Sequence, residues 1–278
     1  MRVADELRFF LTALGYFTRV PLPAALARWV GFTPEHLNAA ARYFPLVGLL
    51  VGLAGAVATW AAAHLWSPSV AVLVGMAATL LLTGAFHEDG LADCVDAFGG
   101  GYTREDVLRI MHDSRVGAFG AIAVVIALLL KWQLLLQIGT TGGLAVLVAT
   151  IVAAHGASRA MAITYLSTHD YVRDEGKARP VAQRLRGAGL VFALLCGAAP
   201  LVWMSFDSLP VAAGGNGVGV GAGLAFALVA VLALTLLRLA LGAYFVRRIG
   251  GYTGDCLGFA QQLAELVVYF VAAAWTWY

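Results

Sequence analysis

Charge is scarce in this chain. Aspartate, glutamate, lysine and arginine together make up 12% of its 278 residues, about half the share of an ordinary soluble domain. Hydrophobic residues make up 61%. That balance excludes a soluble globular enzyme and points to a membrane protein. Cysteine is scarce as well: Cys94, Cys196 and Cys256 are odd in number, widely spaced and without a CxxC pair. A disulfide framework and a thiolate zinc site are thereby excluded. A removable signal peptide is not expected, because Asp5 and Glu6 sit in the leading segment and no small-residue cleavage site follows. The net charge of +2 gives no reason to expect a nucleic-acid partner.

What is abundant is apolar length. Runs of about 20 residues suffice to cross a bilayer, and the sequence offers seven, near 43–66, 70–86, 118–138, 144–165, 188–206, 220–244 and 260–277. A shorter helix over 3–16, ended by Pro21 and Pro23, is too short to span and is expected to be interfacial or re-entrant. The expected fold is all-α, a polytopic transmembrane helical bundle forming one domain over 1–278. Thr33 and Thr103 are expected helix caps, with Pro34 in a first turn. Gly48, Gly52 and Gly55 form a small-residue packing face, and Gly99-Gly100-Gly101 is expected to be a flexible joint.

Seven spans place alternate loops on opposite sides. Fifteen of the eighteen Lys and Arg residues then fall on the side of the N-terminus, with Arg159 and Arg238 inside spans and only Lys131 towards the other face. The positive-inside rule makes that side cytoplasmic.

The few acids are concentrated. Glu88, Asp89, Asp93 and Asp96 put four carboxylates within nine residues at the end of an apolar run. Close negative charges raise one another's pKa, so such a cluster is stable mainly when cations sit among them. On a helix, Asp89, Asp93 and Asp96 share one face, with Glu88 to its side. No Lys or Arg lies between His87 and Tyr102 to neutralise them. Oxygen-only ligands at this spacing suit Mg²⁺, which takes one or two carboxylates together with water and phosphate oxygens. Gly90 is expected to let the backbone approach a ligand closely. The plainer alternative is a solvated helix end.

Two further polar motifs lie on the same side. In Met111-His112-Asp113-Ser114-Arg115-Val116-Gly117, Arg115 is placed to grip a phosphate, and Asp113 to complete a metal shell or take a proton. A capping Asp beside a membrane-edge Arg is the alternative. In Gly250 to Gly258, Thr253 is a phosphate donor and Asp255 a ligand for a second metal, or the stretch is simply a Gly-rich turn. Glu265, one turn into an apolar helix, is costly there unless it is functional or paired. Arg159 inside a span, Lys177 and Arg179 in a basic loop that also fits anionic lipid head groups, and Arg19 complete the substrate-binding candidates. Together these residues describe a site for phosphoryl transfer at the membrane edge.

The ordered set His87-Glu88-Asp89-Gly90-Leu91-Ala92-Asp93-x-x-Asp96, Met111-His112-Asp113-Ser114-Arg115-x-Gly117 and Gly251-Tyr252-Thr253-Gly254-Asp255-x-x-Gly258 resembles the cobalamin synthase family, the adenosylcobinamide-GDP ribazoletransferases. Phe17-Thr18-Arg19-Val20-Pro21 and Tyr43-Phe44-Pro45-Leu46-Val47-Gly48 are similar to that family's N-terminal pattern. Ala97 and His112 depart from it, standing where a glycine and a basic residue are usual. The resemblance implies a multi-pass enzyme of the bacterial inner membrane that uses Mg²⁺ to join adenosylcobinamide-GDP to α-ribazole or its 5′-phosphate, releasing GMP. It implies Asp89, Asp93, Asp96 and Asp255 at the metal, attack by the ribazole 5′-hydroxyl, and Asp113 as proton acceptor. Its partners would be these substrates, membrane lipid, other nucleotide-loop assembly enzymes and a second copy of the chain. The rival readings are a CDP-alcohol phosphatidyltransferase and a transporter. The first lacks its Ala-Arg after Asp-Gly here, and the second would carry its acids nearer the bilayer midplane.

Overall fold

A computed structural model describes residues 3–173, 184–207 and 220–277. Among the described residues the fold is helical, with one isolated parallel bridge between Tyr171 and Tyr252. In chain order the helices are α1 (Val3–Phe17), α2 (Ala24–Val30), α3 (Pro34–Ala40), α4 (Phe44–Ala63), α5 (Pro68–Thr83), α6 (Phe86–Gly100), α7 (Arg104–Ile110), α8 (Ala118–Ile163), α9 (Tyr165–Thr168), α10 (Ala188–Asp207), α11 (Val220–Ile249) and α12 (Gly254–Trp277).

The local signals behave as their chemistry requires. The Thr33 and Thr103 hydroxyls accept the backbone N–H groups of His36 and Asp106 at 3.2 and 3.1 Å, capping α3 and α7. Pro34 and Pro68 occupy first-turn positions, where no N–H is needed. α1 is held over the α3–α4 junction by Glu6, which pairs with Arg42 at 2.6 Å and accepts the Tyr43 hydroxyl.

The centre of the bundle is α8, and it is two helices. Gly143, at φ 85° and ψ 170°, breaks it. Along its first limb, Lys131, Gln137 and Thr141 bond to Gln262, Ala273 and Thr276 of α12, so residue numbers rise together. Along the second, His155 faces Glu265 and Ser158 bonds Gln261, so they run opposite. The limbs are therefore an antiparallel hairpin that turns at Gly143, between the apolar runs expected over 118–138 and 144–165, and α12 packs along both.

By length and apolar composition, four helical stretches among the described residues can cross a membrane, or five if α5 and α6 count as one broken span. The expected seven are not reached by that measure. α8 enters it as one stretch, α5 is only 16 residues long, and α10 enters it only over Ala188–Met204.

α4 packs on α5 and on the second limb of α8 through the expected glycines. A Cβ on Gly52 would lie 2.9 Å from both His155 Cβ and Val152 Cα, and one on Gly55 would lie 2.6 Å from Thr79 Cγ2. Gly52→Val should therefore separate α4 from α8, at a cost of roughly 1–3 kcal/mol for overpacking. A fall in melting temperature of the detergent-solubilised protein, with Leu53→Val on the exposed face unchanged, is the expected reading.

Between α5 and α6 the chain turns by 85°. Two consecutive left-handed residues make the corner, Gly84 at φ 66° and Ala85 at φ 56°. The alanine is an uncommon occupant of that region, costing of order 1–2 kcal/mol, which marks the corner as fixed by its surroundings. Arg19 lies across Gly84 and donates its backbone N–H to Leu82 O at 2.7 Å. α6 consequently runs across the end of the bundle instead of continuing α5. Its C-terminus is closed by Arg248 of α11, which donates to the carbonyls of Phe98 and Gly101 at 3.1 and 2.7 Å. The expected Gly99–Gly101 joint is for that reason two helical residues and a cap, since a cation on the last carbonyls favours the helix.

Candidate active site

α6 sorts its carboxylates by face. Asp89 is exposed and Asp93 and Asp96 are half-exposed, whereas His87, Glu88, Leu91 and Cys94 are buried. The buried face crosses the start of α12 closely: a Cβ on Gly90 would meet Asp255 O at 2.9 Å and Gly258 Cα at 3.2 Å. Gly90 therefore serves helix contact, not the ligand approach expected of it. The same crossing carries Asp255 to the acidic face, joining two motifs more than 150 residues apart in the chain.

At Asp93 burial comes first, and the charges of Asp255 and Asp89 add to it; together they push its carboxyl up to about 7. Arg173 opposes this. Its guanidinium lies 2.8 Å from Asp255 Oδ2 and donates to Met111 O at 3.0 Å, linking the second and third motifs. Asp89, Asp93 and Asp255 thus form a strained group of acids relieved on one side by a single cation. Among the described residues no group of three or more His, Cys, Asp or Glu side chains is placed to hold a metal ion by itself. The donors are all carboxylate oxygens that repel one another, which fits a hard divalent cation whose remaining ligands are water and phosphate.

Other sequence candidates fall elsewhere. Both oxygens of Asp96 accept backbone N–H groups at the start of α8, from Gly117 at 2.7 Å and Gly120 at 2.8 Å, so Asp96 is first a cap for the hairpin. Glu88 turns inward, accepting from Gln262 Nε2 at 2.9 Å with Lys131 4.0 Å away. Asp113 is exposed and paired with Arg115 at 2.7 Å. Hydrogen bonds from Arg115 hold its carboxyl down at about 2, which makes it a weak proton acceptor near neutral pH. Arg19 stays exposed at the α5–α6 corner, close in the chain to the aromatic residues Tyr16 and Phe17. Thr253 is fully buried and caps α12, with its hydroxyl against Met111 Sδ at 3.2 Å, so the expected phosphate contact is replaced by a structural one. Lys177 and Arg179 lie outside the described residues.

Arg159 is the clearest correction. It is buried, its Nη1 lies 3.0 Å from His155 Nδ1 and donates to His155 O at 2.9 Å, and its guanidinium faces the Phe44 ring. It belongs to an interior polar network in the bundle. Lys131 pairs there with Glu265 at 2.9 Å, and Glu265 also accepts from Gln261 at 2.7 Å and Tyr269 at 3.0 Å. Two cations, Lys131 and Arg159, balance two anions, Glu88 and Glu265. An isolated lysine in an apolar span was the available sign of this network; positional counting instead assigned Lys131 to the far face. Sequence spacing gave no sign of the narrow crevice beside Gly254, lined by Tyr16, Phe44, Phe86, His87, Tyr171 and Tyr252.

The model of one protein family, described as cobalamin-5-phosphate synthase, matches residues 9–273. This chain belongs to the cobalamin-5-phosphate synthase family. Among curated proteins, adenosylcobinamide-GDP ribazoletransferase of Ralstonia nicotianae is 57% identical over 273 residues, covering 98% of this chain and 97% of the relative. The protein of the same name from Ralstonia pickettii is 56% identical over 95% of this chain and 94% of its own. That of Shewanella frigidimarina is 43% identical over 97% and 95%. No solved structure matches the chain. The family match spans all three polar motifs of this cobalamin-5-phosphate synthase homologue, from α1 to α12.

Proposed function

We propose that this membrane protein is an adenosylcobinamide-GDP ribazoletransferase, working at the cytoplasmic side of the bacterial inner membrane. It joins adenosylcobinamide-GDP to α-ribazole or its 5′-phosphate and releases GMP. The observation that carries this reading is the convergence of Asp89 and Asp93 on α6 with Asp255 at the start of α12, within a chain matched to its family along almost its whole length. The positive-inside distribution of Lys and Arg supports the orientation.

In the reaction a ribose hydroxyl of ribazole bonds to the phosphorus that carries cobinamide, and the bond from that phosphorus to the GMP oxygen breaks. The family's name retains a 5-phosphate in its product. A substrate already phosphorylated at that position cannot attack through O5′, so the nucleophile is a secondary ribose hydroxyl, not the 5′-hydroxyl first expected. Asp89, Asp93 and Asp255 would hold Mg²⁺, which supplies charge neutralisation to the pyrophosphate. Asp113, held down at about 2 by Arg115, is a weak proton acceptor, which leaves the hydroxyl proton to a carboxylate of the Asp89, Asp93 and Asp255 group. Arg173 and Arg115 supply positive charge at the rim, where anionic substrate oxygens arrive.

The deciding assay supplies purified protein with Mg²⁺, adenosylcobinamide-GDP and α-ribazole and measures GMP. Absence of GMP, with CMP released from a CDP-alcohol instead, would establish the phosphatidyltransferase reading. pH adds an independent check. Protonated below about 7, Asp93 is neither an anionic ligand nor a base. Turnover should therefore rise with pH through that region. Because a bound cation favours the ionised carboxylate, raising Mg²⁺ should move the rise to lower pH. A flat profile between pH 6 and 8 at limiting Mg²⁺ would remove Asp93 from this role.

A further inference from the structure

A cavity of about 480 Å³ opens between the second limb of α8, α10 and α11. Its volume is that of a small-molecule pocket, and its walls are graded from end to end. The deep part is formed by Ala157 and Leu201, buried and without charge. The other end holds Thr164, Thr235 and Arg238. Leu194, Val231 and Leu239 along the opening are exposed, so the cavity faces the space that lipid occupies around a membrane helix bundle.

The polar end is organised. Arg238 Nε donates to Thr164 Oγ1 at 3.2 Å, Nη2 donates to Thr168 Oγ1, and the guanidinium lies over the Tyr165 ring at 5.4 Å. Those contacts fix the plane of the guanidinium while leaving Nη1, among the described residues, without a protein acceptor, in a group with five N–H donors. Among the described residues no carboxylate lies within ion-pair distance of Arg238. Thr164 and Thr168 stand where α8 ends and the chain leaves the apolar layer, so Arg238 reaches head-group level while the rest of the cavity extends into the hydrocarbon.

We propose that this cavity binds one anionic phospholipid, with its phosphate on Arg238 and an acyl chain along the Ala157–Leu201 wall. Charge complementarity selects the occupant. A fixed, uncompensated guanidinium at the rim of an apolar slot matches a phosphate anion above a hydrocarbon tail, and a zwitterionic lipid brings its own cation to the same place.

Native mass spectrometry of the full chain, released from nanodiscs containing equal amounts of phosphatidylglycerol and phosphatidylcholine, tests this. The wild type should retain one phosphatidylglycerol in preference to phosphatidylcholine. Arg238→Gln should reduce that retention about tenfold or more, the scale of one charge-assisted hydrogen bond, and Arg238→Lys should restore most of it. Thr235→Trp should abolish retention of either lipid by filling the slot; the Thr235 hydroxyl bonds only within its own helix, to Val231 O at 2.7 Å, so the change leaves other helices' contacts intact. Equal retention of the two lipids, undiminished retention in Arg238→Gln or Thr235→Trp, or displacement of the lipid by adenosylcobinamide-GDP would each overturn the proposal. The last of these would make the slot a substrate site.

Discussion

Asp89→Asn and Asp93→Asn are each expected to lower Mg²⁺-dependent GMP release by about a hundred- to a thousandfold, the range seen when one preorganised charge-stabilising group is lost. The folded protein should remain in the membrane in normal amount. The two outcomes separate because these carboxylates are in mutual repulsion: at Asp93 burial and the neighbouring acids already disfavour the charge. A neutral amide of the same shape relieves that repulsion, so melting temperature should hold or rise while activity falls. Asp96→Asn should behave differently. Its two oxygens accept the Gly117 and Gly120 N–H groups, and an amide keeps only one acceptor oxygen, so about 0.5–2 kcal/mol of capping is at risk. GMP release at the wild-type rate by Asp89→Asn would remove that residue from the site.

The largest stability effect is expected inside the bundle. Lys131→Met leaves Glu265 and Glu88 as buried carboxylates with one neighbouring cation fewer. Removing one partner of a buried pair costs about 3–5 kcal/mol, a large part of the 5–15 kcal/mol that holds a typical domain together. The variant should be recovered in low yield and lose monodispersity in detergent. Lys131→Met combined with Glu265→Met should recover part of the loss, since it removes both charges of the 2.9 Å pair. The recovery is partial because Tyr269 and Gln261 lose an acceptor. Wild-type stability of the single variant would mean that the network is reached by water.

The helices were legible because apolar length and caps are local properties. Thr33, Thr103 and the Gly48–Gly55 face needed no knowledge of the rest of the chain. The acidic face was legible for the same reason: helical spacing alone separated Asp89, Asp93 and Asp96 from Glu88. What escaped depends on contacts between distant segments. Nothing near Arg159 in the chain shows that the Phe44 ring of α4 lies against its guanidinium, and nothing near Thr253 shows that its hydroxyl meets Met111. Asp96 reads as a ligand until the start of α8 is placed against it. The corner at Gly84-Ala85 is invisible to hydropathy, which runs through it without a break. The count of seven spans met the same limit, because crossing a bilayer depends on where α5 and α10 sit as well as on their composition.

The interior network also has a consequence for how the protein is made. α12 lies along both limbs of the α8 hairpin and brings Glu265 to Lys131 and His155, whose ring meets Arg159. Glu265 is the last of these groups to be synthesised, 134 residues after Lys131 (265 − 131). At bacterial and eukaryotic elongation rates of roughly 5–20 residues per second, that interval is about 7–27 s. For that time the nascent chain holds Lys131, joined by Arg159 for the last 106 residues (265 − 159), in an apolar setting without Glu265, with Glu88 of α6 the one earlier carboxylate in the network. Completion of the bundle is thus timed by translation itself: the countercharge that makes the hairpin's cations tolerable arrives on the same helix that delivers Asp255 to the acidic face.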